Sequence, residues 1–499
     1  MPISSFQTLR TQLTRLGQLQ GTIALLGWDQ AVFLPDGAHE ARAEVIGSLS
    51  GELHERVLGL NKDKALLKLV EGSSKGQSDK AVIVRETWKS YEQAARLPRT
   101  FVEELATSCA RAESVWRTAR EQNKFSLFAP SLEKIIRLKR KEAGLLDPSS
   151  HPYDALLETY EPGLRSADLD PLFAELASSL GELLRDRLAL QKKQKTLVIK
   201  GHFPLREQEI INNTLAKTLG FDMQCGRLDT STHPFTTNFH PTDVRITTRY
   251  RETDPLYAIG STIHEVGHGL YEQGLPVKHA YTPLAEAVSL GIHESQSRLW
   301  ENIVGKDLSF WQWFQPLLAD AFPKTFKQLS PELLWRHVNT ATRSFIRTEA
   351  DEVTYNLHIL VRYRLERALL EGSLRVKDLP HAWNKAMKEH LGVTPPNDQQ
   401  GVLQDVHWSA GLIGYFPTYT LGNLYASQFF ATAEQKNPGL KKQFAKGNFA
   451  PLREWLRTEI HQHGKRYRAH ELVQHVTGAS LSAKPFLTYL RKKQNLLLG

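Results

Sequence analysis

The sequence predicts a mainly α-helical fold: one large helical body, with a small β-sheet beside a histidine-bearing helix, in a single domain spanning 1–499. Three observations lead there. Leu and Phe recur at helical spacing over 1–30, 80–146, 165–195, 331–372 and 422–460. One stretch, "DTSTHPFTTNFHPTDVRITTRY" (229–250), breaks that pattern with Thr, Phe, Val and Ile in partial alternation, and reads as two or three short strands. No strand–helix alternation extends from it, which argues against a doubly wound parallel sheet. "DPSSHP" (147–152) and "VTPPNDQQG" (393–401) have the Pro, Gly and Ser content of loops.

Composition narrows the class. The chain has 499 residues, 41% hydrophobic and 23% charged, ordinary values for a soluble globular protein. Its two cysteines, Cys109 and Cys225, cannot build a disulfide framework or a Cys-based zinc site, and are expected as idle thiols in a reducing compartment. The first 21 residues lack the apolar core and cleavage site of a signal peptide. No run approaches the roughly 18 apolar residues of a membrane span. The expectation is a cytoplasmic protein without a membrane partner. The net charge is +9, and from Ala450 to Gly499 nine Lys/Arg face three Asp/Glu. Nothing aromatic accompanies that charge in a nucleic-acid-binding pattern, so it reads as a solvated helical face.

The chemistry concentrates in "ETDPLYAIGSTIHEVGHGLYEQG" (252–274). Asp254 suits an N-cap and Pro255 the first helical position, while Gly274 and Pro276 suit the stop. His264 and His268 then lie one turn apart on one helix face, where two imidazoles can bind a single metal ion. Glu265 sits about 100° around the helix, within reach of a water on that metal. Composition alone yields the His-Glu-x-x-His pattern about 0.08 times per chain, so coincidence is a poor account of it.

A catalytic metal needs a third protein ligand and an open position. In "YTPLAEAVSLGIHESQSRLWENIVG" (281–305), Thr282 and Pro283 resemble a second helix start. The link from Gly274 is short, so an antiparallel pair is expected. His264 lies roughly 15 Å before the turn and Glu294 roughly 16 Å after it, which sets them level. Glu286 and Glu301 fall about two turns away. His293 is adjacent but points about 100° off, so spacing favours Glu294 without excluding His293.

"HEVGH" followed by "HESQSRLWEN" resembles the carboxypeptidase Taq family of zinc metallocarboxypeptidases. Further segments of that family's kind follow the same order: "LGWDQAVFLPDGAHEAR" (26–42), "YDALLETYEPG" (153–163), "HPF" (233–235), "DVRIT" (243–247), "IRTEAD" (346–351), "GVLQDVHW" (401–408) and "GYFPTYTLGNLYA" (414–426). The resemblance covers nearly the whole chain. The one visible departure is Val32 and Leu34, where the family more often carries Thr and Met. It implies a helical body with a deep active-site groove, usually a homodimer. It implies Zn2+, with Co2+ able to substitute, held by His264, His268 and Glu294, and Glu265 as the catalytic glutamate. The implied activity releases single residues, with broad preference, from peptides with a free C-terminus.

An exopeptidase must also hold the substrate's carboxylate, and Arg does this best through two parallel hydrogen bonds. Arg347, in "IRTEAD", is the candidate; the alternative is a helix-surface pair with Asp351 at i+4. His407, Tyr415 and Tyr419, in family-like motifs, are candidates for oxyanion or carboxylate contacts. His233, Asp243 and Arg245 count among the substrate-binding candidates, although Asp243 and Arg245 could instead brace the sheet. The strand "VRITT" is a candidate to pair with an extended substrate. Two rival readings stand beside this one: an endopeptidase on the same site, and a non-catalytic metal- or nucleic-acid-binding protein supported only by the basic tail.

Overall fold

The computed structural model describes residues 5–192 and 197–498. The first helical span becomes α1 (Ser5–Val32), and the chain turns back through α2 (His39–Gly59). The 80–146 span divides into α3 (Asp79–Arg96) and helices Arg99–Glu121 and Phe125–Leu146. Pro98 interrupts the first junction and Asn123, at φ 52°, the second. The 165–195 span is the helix Ser166–Gln191; residues 1–4 and 193–195 of the expected helices lie outside the described residues.

The 331–372 expectation needs correction. A helix covers Pro331–Val338, residues 339–351 are irregular apart from a single turn at Arg347–Glu349, and a second helix runs from Glu352 to Glu371. Asp351 is the reason: its carboxylate accepts the Val353 N–H at 2.9 Å and the Thr354 hydroxyl at 2.7 Å, which starts a new helix there. The supposed i+4 surface pair of Arg347 with Asp351 therefore does not form.

The sheet has three strands: β1 (Gly226–Thr230), β2 (Thr236–His240) and β3 (Asp243–Thr248). Their order is β1-β3-β2, with β1 parallel and β2 antiparallel to β3. "VRITT" lies in β3, the middle strand, whose two edges are already paired, so it cannot accept a further strand; the edge next to the histidine helix is β2. Strand order depends on distant pairing, which the local alternation does not encode. Val244 and Ile246 of β3 are fully buried, and Thr248 bonds Ser261 at 2.6 Å, tying the sheet to the next helix.

That helix is α4 (Pro255–Gly274), followed by α5 (Leu290–Arg298), α6 (Glu352–Glu371) and α7 (Pro417–Lys436). The largest apolar core runs through these elements. A second, smaller core joins Leu9, Leu13 and Leu16 of α1 to Val82–Val84 of α3 and to Leu284 from the body. Among the described residues no helix is long and apolar enough to cross a membrane. Cys109 and Cys225 are free thiols.

Candidate metal centre

The start of α4 is as expected: Asp254 accepts the Tyr257 N–H at 3.3 Å, and Pro255 follows it. The start of α5 is not. Thr282 and Pro283 open only a one-turn segment, Pro283–Ala285, while the helix begins at Leu290 with Ser289 accepting the Ile292 N–H at 3.1 Å. The two helices still run antiparallel, and their side chains meet in order. His293 Nε2 reaches Glu272 Oε1 at 2.7 Å, Glu294 Oε2 lies 3.4 Å from His268 Nε2, and Glu301 Oε2 lies 2.8 Å from His264 Nδ1. Glu294 is thus opposite His268, rather than level with His264 alone. Two glycines make this approach possible. A Cβ on Gly267 would stand 2.6 Å from the Ser297 Cα, and one on Gly422 of α7 would stand 2.5 Å from the Glu294 Cγ.

Donor atoms of His264, His268 and Glu294 all lie within 4.8 Å of one another. A metal held tetrahedrally at about 2.1 Å keeps its ligand atoms about 3.4 Å apart. Glu294 Oε2 stands 3.4 Å from His268 Nε2 and 3.9 Å from His264 Nε2, so the three fit one ion with little movement. Two imidazole nitrogens and a carboxylate oxygen also suit a borderline divalent metal. His293 is turned away toward Glu272, with its ring stacked on His268 at 4.4 Å.

The polar surroundings set the charge states. Burial, then the neighbouring His293, pushes His268 down to about 3, which keeps its ring neutral and able to donate a lone pair. Burial works against the Glu294 charge, but Arg298 and the histidines hold that carboxyl well below the usual range. Arg298 Nε bonds Glu294 at 2.6 Å and its Nη1 bonds Glu301 at 3.0 Å. Glu265 is buried and accepts the Thr236 hydroxyl at 2.7 Å. Burial raises its pKa, with His264 and the Thr236 bond pulling the other way.

Helical spacing puts Glu301 two turns away, yet it holds His264 Nδ1 at 2.8 Å and so leaves Nε2 facing Glu294 at 3.9 Å. A signal for this is present in the sequence, since Glu294 and Glu301 are seven residues apart and share a helix face. Replacing Glu301 with Gln should weaken metal affinity about 10- to 100-fold, as loss of a carboxylate behind a ligating histidine does elsewhere. Titration of the metal-free variant with zinc measures this.

The second group of candidates also converges. Arg347 is buried; its Nε donates to Asp405 Oδ1 at 3.0 Å and its Nη1 to the Tyr355 hydroxyl at 3.0 Å. Arg362 donates to the other Asp405 oxygen at 2.7 Å, so two guanidiniums share one carboxylate. His407 Nε2 lies 3.1 Å from the Tyr419 hydroxyl, and the Tyr415 ring is 5.4 Å from that of Tyr419. Burial pushes His407 down to about 4 and Tyr415 up to about 12, leaving one neutral and the other a hydroxyl donor. Arg298, 4.3 Å over the Tyr355 ring, links this wall to Glu294. Tyr355, Arg362 and Asp405 carry no signal in the sequence that marks them for this role. Asp405 pairs across 58 positions with Arg347, a distance no local pattern spans.

The remaining candidates lie elsewhere. Asp243 and Arg245 bond each other at 2.6 Å, and the Arg245 guanidinium covers the Trp28 ring at 4.8 Å, bracing sheet and α1. His233 is exposed in the turn before β2, where its carbonyl accepts the Ser231 hydroxyl at 2.7 Å.

The loop carrying Asp405, His407 and Tyr415 is pinned by Glu366 of α6. That fully buried carboxylate accepts from the Trp408 indole at 2.9 Å, and from Gly414 N–H and the Tyr153 hydroxyl, each at 3.1 Å. Burial, only partly offset by these donors, raises Glu366 to about 7. A carboxyl raised in the folded state contributes stability that is complete below its unfolded value of about 4.3 and lost as pH rises through 7, on the order of 3 kcal/mol in all. Glu366→Gln should therefore gain in melting temperature relative to the parent as pH goes from 5 to 8. Thermal unfolding of both proteins across that range checks it.

A histidine pair on one helix and a carboxylate on the next, with a buried glutamate beside them, is the arrangement of a metallopeptidase. The family model for carboxypeptidase Taq (M32) metallopeptidases matches residues 8–494. Thermostable carboxypeptidase 1 of Thermus thermophilus is 45% identical over 510 residues, covering 100% of both chains. Carboxypeptidase 1 of Bacillus subtilis is 37% identical over 485 residues, 97% of each. The crystal structure of the M32 carboxypeptidase from Deinococcus radiodurans R1 superposes with a TM-score of 0.96 at 40% identity, over 99% of each chain. That of Pyrococcus furiosus carboxypeptidase gives 0.95 at 36%, again over 99% of each. The chain belongs to the carboxypeptidase Taq (M32) family and is a metal-dependent carboxypeptidase.

Proposed function

We propose that the protein is a zinc-dependent carboxypeptidase that releases single C-terminal residues from peptides with broad preference, Co2+ substituting for Zn2+. The convergence of His264, His268 and Glu294 beside buried Glu265 carries this reading. A zinc ion bound by those three residues supplies Lewis acidity, which acidifies water and polarises a carbonyl. Glu265, its carboxylate aimed by Thr236, takes the proton of the attacking water and passes it to the leaving amine nitrogen. Arg347 holds the substrate carboxylate. Its partner Asp405 is shared with Arg362, so this buried group carries more positive than negative charge. The Tyr415 and Tyr419 hydroxyls, backed by His407, donate to the oxygen on which negative charge develops. β2, the edge strand whose Thr236 bonds Glu265, is the one along which an extended substrate pairs. His233, Asp243 and Arg245 act at most from the margin of this site. The whole chain works as one catalytic unit, as a homodimer in the cytoplasm.

The test is an N-blocked peptide offered with a free and with an amidated C-terminus to the zinc-loaded protein. Release only from the free form, abolished by chelation and by Glu265→Gln, is the expected result. Cleavage of the amidated form would make the protein an endopeptidase and remove Arg347 from its role.

A further inference from the structure

The last turn before Glu294 is anchored by a residue that touches neither the metal ligands nor the carboxylate-binding wall. Glu161, in "YDALLETYEPG", is fully buried. Its Oε2 accepts the Gly291 N–H at 3.0 Å, and the preceding carbonyl, that of Tyr160, accepts the Leu290 N–H at 3.2 Å. Its other oxygen accepts the Tyr425 hydroxyl of α7 at 2.9 Å, and the Ser289 hydroxyl bonds it as well. The first N–H groups of α5 thus end on a segment more than a hundred positions earlier in the chain, in place of solvent. Gly291 is required for the approach: a Cβ there would stand 2.7 Å from Glu161 Oε2 and 3.0 Å from the Tyr425 ring. One turn before Tyr425, Gly422 makes room for Glu294 itself. The two ends of this clamp therefore act on the same short piece of helix, one at its backbone and one at its ligand side chain.

Burying a carboxylate completely is costly, and three donors converge on this one. Nothing in the proton transfers uses Glu161. What it fixes is the register of α5 against α7, and α5 delivers Glu294 three residues beyond Gly291. We propose that Glu161 is a positioning residue for the metal centre: by anchoring the start of α5 to Tyr425, it holds Glu294 where it meets the two histidines. This rests on the reading of Glu294 as a ligand.

The experiment is cobalt(II) titration of the metal-free protein, followed by visible absorption, with kcat and KM measured alongside. Glu161→Ala should weaken cobalt binding roughly 10- to 100-fold, the range found when outer partners of a ligand are lost, and should change the shape of the cobalt bands. It should lower kcat and leave KM unchanged. Glu161→Gln should restore most of the affinity, since its amide oxygen accepts from Gly291 and its NH2 donates to the Tyr425 oxygen. Tyr425→Phe, which removes only one anchor, should fall between. Glu294→Gln is the reference. Cobalt binding at the parental level in Glu294→Gln would remove the ligand assignment and this inference with it. If Glu294→Gln is impaired while folded Glu161→Ala binds as the parent does, only the role of Glu161 is overturned. A melting-temperature loss in Glu161→Ala with unchanged affinity and spectrum overturns it equally. Should Glu161→Ala fail to fold, parental affinity and spectrum in Tyr425→Phe decide against it.

Discussion

Replacing Glu265 with Gln should lower kcat/KM by about 10²- to 10⁴-fold while leaving metal affinity within a few-fold of the parent. The substitution keeps the shape of the side chain, and an amide oxygen can still accept the Thr236 hydroxyl that now bonds Glu265 at 2.7 Å. What it removes is the ability to take and return a proton. The local electrostatics suit proton transfer, because burial pushes the carboxyl upward while His264 and Thr236 restrain it, making it a better base than an exposed glutamate. The same burial makes Glu265→Ala the poorer test, because it also empties the space that the buried side chain fills. Steady-state kinetics on a free-carboxylate peptide, with bound zinc measured on the same sample, decide the matter. A variant that loses zinc along with activity would place Glu265 among the residues that hold the metal.

Much of this centre is legible in the sequence because its geometry is local. The cap at Asp254, the proline behind it and the four-residue spacing of His264 and His268 all lie within one helix, and periodicity reads such features directly. The nearness of Glu294 to the two histidines is what a longer chain of spacings predicts, but the fold reaches it by another route. The segment after Gly274 reads as a second helix from Pro283, whereas it folds into short turns and the helix waits until Leu290. The antiparallel match survives because side chains set it, His293 on Glu272 at one end and Glu301 on His264 at the other. Helical counting puts Glu301 on the right face but too far along the axis, and Leu299–Val304 forms a wider π turn that an α-helical count does not include. The partners of Arg347 are out of reach for a different reason. Asp405 and Tyr355 come from a distant loop and a separate helix, and which distant carboxylate a buried arginine finds is decided by packing. The central position of β3 belongs to the same class of fact. Where cap and period agree, as in α4, sequence suffices; where a cap stands alone, as at Thr282, or the outcome depends on which surfaces meet, it does not.

The charge cluster of Asp405, Arg347 and Arg362 gives the largest expected effect on stability. The Asp405 side chain is 10% exposed, and its two oxygens serve Arg347 and Arg362, at 3.0 Å and 2.7 Å. Removing it in Asp405→Ala leaves two guanidiniums facing each other away from water, at a cost of about 3–5 kcal/mol. Asp405→Asn should cost less, since its carbonyl can still accept from one arginine, but it too leaves the cationic charges uncompensated. Denaturant unfolding, with the slope checked for two-state behaviour, measures both. The pH dependence has a defined sign. Burial opposes the Asp405 charge, yet Arg347 and Arg362 outweigh it and hold the carboxyl well below the usual range. A carboxyl depressed in the folded state contributes stability that is present above its unfolded value of about 3.9 and lost as pH falls toward the folded one. The gap between parent and Asp405→Asn should therefore be full at neutral pH and begin to narrow only below about pH 4. Activity separates two readings of the cluster. If Arg347 holds the substrate carboxylate, Asp405→Asn should raise KM for free-carboxylate peptides, because the fork that Asp405 orients from one side loses its aim. If KM stays put while stability falls, the cluster is a structural knot, and the group that recognises the carboxylate must be sought among Tyr355, Tyr415 and Tyr419.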